Sequence, residues 1–245
     1  MRRVKRAVLT SSTRAALATR QESADSKRLA GNLNIDAEWK SARQTKPLKT
    51  VVGVLKVMAG KRERCMYCCD SHGTDVEHFW PKAGYPCRMF DWLNLLLCCS
   101  ECGRFKGVYF PVENATPKLV DPTAEDPWAF LDFDAATGVI VARFDLATGA
   151  ESPKGVATVK CLQLDRREAL NDGYLKTCRR LTVVVTSALA QGCPDAGALI
   201  AALDEADDHG LLGWCFTGTG QNAVPFETLR VSYPVVWTAC VQALG

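Results

Sequence analysis

Two cysteine pairs at metal-binding spacing stand 30 residues apart, Cys65-Met-Tyr-Cys68 and Cys99-Ser-Glu-Cys102. Two thiolates separated by two residues fold around one tetrahedral ion, and two such knuckles complete a closed four-cysteine zinc site. A closed site has no open coordination position, so this ion is structural. Its binding free energy stands in for the core that a short Cys-rich module cannot build. The pairing favours zinc over buried free thiols or disulfides. Cys69 and Cys98 adjoin the knuckles, and Cys98 competes with Cys99 for the ligand position. The remaining six, Cys87, Cys161, Cys178, Cys193, Cys215 and Cys240, lack ligand spacing and read as small core residues.

Between the knuckles run Asp75-Val-Glu77-His78-Phe-Trp-Pro-Lys82 and Trp92-Leu-Asn94-Leu; Gly103-Arg104-Phe-Lys106-Gly107 follows the second. A lone His is more often structural than catalytic, and Glu-His alone is a weak signal. The ordered set is far more specific: CxxC, Glu-His-x-x-Pro-Lys, Trp-x-Asn-Leu, CxxC, Lys-Gly. Over about residues 65–107 it resembles the HNH endonucleases. A looser likeness runs through Leu119-Val-Asp-Pro-Thr and Cys161-Leu-Gln-Leu-Asp-Arg-Arg. It is similar to an HNH subgroup that includes the nuclease subunit of Septu-type anti-phage systems, whose partner is an SMC/ABC-like ATPase. The resemblance implies a ββα-metal fold and a metal-dependent endonuclease hydrolysing DNA phosphodiester bonds, with RNA an open alternative. It implies a catalytic Mg²⁺ or Mn²⁺ beside the structural Zn²⁺.

Phosphodiester hydrolysis needs an activated water, a cation for the leaving oxygen and donors for the phosphate. On the resemblance, His78 is the general base, since imidazole titrates near neutral pH. Glu77, its neighbour on a strand, points to the opposite side and takes the family's acidic ligand position for the catalytic ion. Asn94 matches the central Asn that holds the loop and orients the His. Lys106, with Lys82 and Arg104, is placed to contact phosphate oxygens, which positions a substrate without reading its sequence. For Lys82 and Arg104 an ordinary exposed charge is an equal reading. The family carries His or Asn directly after the last Cys, commonly as a ligand of the catalytic metal. Here that residue is Gly103, which offers no donor; Glu101, Asp91 and Asp75 are alternative donors.

The elements that must position these residues follow from spacing. Ile35 to Lys46 reads as a helix with a break at Pro47; Leu48, Val51, Val52, Leu55 and Met58 then mark an amphipathic helix stopping near Gly60. Residues 117–135 read as an irregular connector and Gly138 to Phe144 as a strand. Helical spacing returns over Val156–Leu164, Ala169–Gln191 and Pro194–Ala206, and Pro234 interrupts the apolar segment Phe226–Leu244. The expected organisation is α+β: a basic helical N-terminal arm (1–64), a small zinc-stabilised ββα-metal module (65–112) and a mostly helical region with a short strand or hairpin (113–245).

The 245 residues, 47% hydrophobic and 23% charged, exclude a mainly disordered chain, a collagen-like repeat and a small disulfide-stapled scaffold. No apolar run approaches a membrane span. The net charge of +3 conceals an asymmetry: residues 1–64 hold 16 Lys/Arg against 5 Asp/Glu, the rest 14 against 22. A basic arm on an acidic body fits a polyanion or an acidic partner. The first twenty residues superficially resemble an organelle transit peptide, and Arg14 breaks the one candidate secretory stretch. A cytoplasmic, reducing location is expected, which also favours metal-bound cysteines. Two other readings stand beside the nuclease: a catalytically weak or inactive zinc module binding nucleic acid or a partner protein, and an arm that docks the ATPase.

Overall fold

The computed structural model describes residues 1–192 and 195–244. The chain divides into two compact units, one of Val4–Met66 and Ser71–Val112, the other of Met1–Arg3, Tyr67–Asp70 and Glu113–Gly245.

In the first unit three helices precede a strand pair and a fourth helix. Helix α1 (Ser11–Leu29) starts at Thr10, whose hydroxyl accepts from the Thr13 amide. Helix α2 (Ile35–Arg43) is capped by Asn34 and carries Asp36 and Glu38 in its first turn, Lys40 and Arg43 in its last, all matched to the helix dipole. Its inner face buries Trp39 and Ala42. Helix α3 (Lys46–Met58) buries Leu48, Val51 and Leu55, the apolar spacing visible in the sequence. Pro47 does not break a helix there. It sits in the first turn of α3, where the missing N–H costs nothing.

Strands β1 (Asp75–His78) and β2 (Leu95–Cys98) pair antiparallel in the register Asp75↔Cys98 to His78↔Leu95, and α4 (Ser100–Lys106) follows at once. All four residues of β2 are buried. The long loop between the strands contains two short 3₁₀ turns, Pro86–Arg88 and Trp92–Asn94.

After the two-residue strands β3 (Val112–Glu113) and β4 (Thr116–Pro117), in the second unit β5 (Leu131–Phe133) pairs with β6 (Ile140–Ala142) and β7 (Phe144–Asp145) with β8 (Ala150–Glu151). The connector expected over 117–135 therefore ends in a strand. The strand expected over Gly138–Phe144 is split at Arg143, whose N–H donates to the Phe130 carbonyl while its carbonyl accepts from Ser152. One residue thus faces two partners, and the ladder changes hands. Helix α5 (Pro153–Leu162) lies against this corner through Gly155, where a Cβ would come within 2.1 Å of the Phe130 carbonyl oxygen.

Helices α6 (Glu168–Ala190), α7 (Ala196–Ala206), α8 (Leu212–Phe216), α9 (Phe226–Ser232) and α10 (Pro234–Ala243) complete the unit. Pro234 opens α10 and so separates it from α9, as the sequence predicts. Pro194, expected to open a helix, lies outside the described residues, and Asp195 caps α7. The fold class is α+β, helices with four two-stranded pairs among the described residues. No helix among them is long and apolar enough to cross a membrane.

Candidate functional site

The four knuckle cysteines converge. Cys65, Cys68, Cys99 and Cys102 are buried, and their sulfurs all lie within 4.8 Å of one another. A tetrahedron of sulfurs at the Zn–S distance of about 2.3 Å has edges of about 3.8 Å, so this donor set fits a zinc ion. Local structure builds the convergence. Around the first knuckle, Arg64 bridges His72 and the Cys65 amide donates to the Ser71 carbonyl. Cys99 is the N-cap of α4, its sulfur accepting from the Cys102 amide at 3.4 Å. In the second unit, the Tyr174 hydroxyl donates to the Cys68 carbonyl at 2.6 Å.

The ligand register open in the sequence resolves to Cys99. The Cys98 sulfur lies 4.0 Å from that of Cys65 and donates to the Cys99 carbonyl. Its hydrogen bonds to Cys65 and Cys99, with burial, hold its thiol far above the usual range. Of the six cysteines read as core residues, Cys161, Cys178, Cys215 and Cys240 are buried. Cys87 is exposed; it sits in the 3₁₀ turn of the long loop. Cys193 lies outside the described residues.

Glu77 and His78 end β1 and face opposite sides, as alternation requires. Glu77 faces α4: its Oε1 accepts from the Lys106 ammonium at 2.9 Å, and its Oε2 lies 3.5 Å from where a Cβ on Gly103 would sit. Burial raises the Glu77 pKa, and Lys106 partly offsets this. Lys106 is not an exposed phosphate contact. Its side chain is fully buried, and its ammonium also donates to the His78 carbonyl at 2.7 Å.

His78 faces the long loop and is buried. Its Nε2 stands 3.0 Å from the Met89 carbonyl, and the Trp39 indole meets its ring in a T-shaped contact at 4.3 Å. A carbonyl only accepts, so Nε2 carries the proton and Nδ1 the lone pair. Asn94 organises the loop that presents this carbonyl. Its Oδ1 accepts from the Trp80 amide at 2.6 Å, and its Nδ2 donates to the carbonyls of Trp80 at 3.0 Å and Arg88 at 2.9 Å. From outside, Gln21 of α1 donates to the Pro86 carbonyl and accepts from the Phe90 amide.

Burial pushes the His78 imidazole down to about 4; Lys82 and Lys106 act in the same direction, and the Met89 bond opposes them. Between pH 6.5 and 4 the unfolded chain binds a proton that the folded one refuses, so stability is lost as pH falls through that window. The expected loss is about 3 kcal/mol by pH 4. Urea unfolding of the wild type and of His78→Gln across this range checks it. Zinc thiolates titrate in both chains, so equal pH slopes would refute the depressed imidazole.

The other sequence candidates are engaged elsewhere. Lys82 pairs with Asp36 at 2.6 Å, and Asp75 pairs with Arg43 at 3.1 Å. The Asp91 side chain accepts from the Leu93 amide. Arg104 is exposed, with its guanidinium 5.7 Å from the Phe105 ring, and Glu101 lies in the first turn of α4. Trp39 and Gln21 escaped sequence reasoning, since no local spacing ties α1 or α2 to a loop dozens of residues later.

A second ion, at Glu77, fits poorly. Among the described residues the four cysteines are the only group of three or more such donors close enough to share an ion. Glu77 brings one carboxylate already paired with an ammonium, and Gly103 brings none.

No family model matches the chain. A stretch of 121 residues, 47% of the chain, is 27% identical to the Septu protein PtuB of Bacillus thuringiensis. The chain spans less than half of that curated relative, 42% of its length. The chain is thus similar, over 47% of its length, to a Septu protein, and it carries a buried four-cysteine cluster that fits zinc.

Proposed function

We propose that this chain serves in anti-phage defence as an HNH endonuclease subunit hydrolysing DNA phosphodiester bonds, with an SMC/ABC-like ATPase as its partner. The observation that carries the reading is the placement of Glu77 and His78 at the end of β1, Asn94 in the turn leading into β2 and Lys106 on the helix that follows, beside the four-cysteine cluster. The order of two antiparallel strands followed by a helix supports a ββα-metal module. The likeness to a Septu protein supports the defence setting.

His78 takes the proton of the attacking water on its unprotonated Nδ1, held in that tautomer by the Met89 carbonyl. Asn94 acts through the loop, as a positioning residue. Lys82 and Arg104 are the side chains able to meet phosphate oxygens. A plasmid-nicking assay tests the reading, run with Mg²⁺, with Mn²⁺ and without either, on the chain alone and with its ATPase. Loss of a general base costs about 10²–10⁴-fold, so His78→Ala should fall by that factor. Unchanged nicking in the variant would remove His78 from the mechanism.

A second reading is favoured by the absent donor at Gly103 and by the burial of His78, which is 5% exposed. It is a zinc module that binds nucleic acid or a partner without cutting. Retention of DNA with no nicks under any condition would select it. The basic arm 1–64 is the proposed ATPase docking element, and reversing its exposed Lys and Arg charges should abolish co-purification with the ATPase.

A further inference from the structure

We infer that Lys106 is a built-in counter-ion that closes the Glu77 carboxylate to divalent cations. Four observations carry this. The ammonium sits 2.9 Å from Glu77 Oε1 and 2.7 Å from the His78 carbonyl, so two of its three protons are fixed on the end of β1. Its side chain has no exposed surface, whereas that of Glu77 is 18% exposed, so the carboxylate faces an ammonium that water does not screen. The Phe110 ring lies 5.9 Å from Nζ and walls that side of the ammonium. Gly103 stands one turn before Lys106 on α4, and the space beside Glu77 Oε2 would admit a side chain there at ordinary contact distance, yet none is present.

A divalent ion on Glu77 would share its one protein carboxylate with a fixed positive charge a few ångströms away. Like charges so close in a half-buried site oppose each other strongly. Mg²⁺ and Mn²⁺ draw on oxygen donors, and an ammonium has none to give. Lysine suits the role because its compact charge on a four-carbon stem reaches Glu77 from the last turn of a short helix. The site therefore holds its cation covalently.

The inference concerns the Glu77 site of the proposed nuclease, but its main test does not require cleavage. Mn²⁺ binding to the zinc-loaded full chain is followed by electron paramagnetic resonance. The wild type and Glu77→Gln should bind Mn²⁺ indistinguishably. Lys106→Met should gain a site about tenfold tighter or more, and Lys106→Met/Glu77→Gln should lose it. Cobalt(II) placed in the cysteine site gives a thiolate charge-transfer band that reports whether each variant folds. Should Lys106→Met fail to fold, the wild type against Glu77→Gln still decides. Mn²⁺ bound by the wild type and released by Glu77→Gln overturns the inference. Nicking that appears only when Mg²⁺ or Mn²⁺ is added would also overturn it while upholding the nuclease reading. Nicking by zinc-loaded chain in divalent-free buffer supports both.

Discussion

Stripping the metal from the four-cysteine cluster should unfold the strand pair and α4 together. Structural zinc in small modules binds with about 10–16 kcal/mol of apparent free energy, as much as a whole domain's stability. Strands β1 and β2 share only four register pairs, and α4 is seven residues long, far below the length at which a helix persists alone. A chelator titration followed by near-ultraviolet circular dichroism, with released zinc counted, tests this. One zinc per chain is expected, with loss of the spectrum tracking its release. Cys99→Ser should lose the metal and Cys98→Ser should keep it, because the Cys98 sulfur is turned toward the Cys99 carbonyl. A chain that keeps its spectrum and cooperative unfolding after complete metal removal would leave the cluster without a structural role.

Asn94→Ala should cost up to about 3 kcal/mol. Three part-buried backbone groups, the amide and carbonyl of Trp80 and the carbonyl of Arg88, lose their partner at once, and each such hydrogen bond is worth about 1 kcal/mol. Asn94→Asp should not rescue the loss. Its carboxylate can still accept from Trp80, but it sets an oxygen against two carbonyls where the amide donated. Urea unfolding of the three chains measures both statements. The same substitutions should slacken the hold on Met89, whose carbonyl fixes the His78 tautomer, so the proposed nicking activity should fall in parallel. An Asn94→Asp chain as stable as the wild type would contradict the donor pattern.

Much of the local architecture was legible because it is written in spacing. Leu48, Val51 and Leu55 recur at helical intervals, and they line the inner face of α3. Pro234 divides the last helices as its missing N–H requires. Pro47 was misread because the same ring that breaks a helix interior also suits a first turn. Strand β5, three residues long, carries too few alternations to stand out from a Pro-rich connector. The site was legible as a set of residue types and opaque as a geometry. Cys98 adjoins the second knuckle and could replace Cys99 on sequence; the position of Cys99 as cap of α4 separates them. Lys106 looked like a phosphate ligand because its type is right. Its burial follows from the approach of α4 to β1, which no sequence interval expresses.

The loop between β1 and β2 holds a further consequence in the way it is tied. Two carboxamides, Asn94 within and Gln21 from α1, bind its backbone at Trp80, Pro86, Arg88 and Phe90. Amides in irregular segments usually exchange their hydrogens with solvent quickly, whereas those of Trp80 and Phe90 are locked to side-chain oxygens. In deuterated water these two positions will label on the schedule of a helix interior, and the loop will be mapped as frame rather than flap. Two polar side chains add to what the short 3₁₀ turns supply, and together they stiffen a segment that no sheet spans.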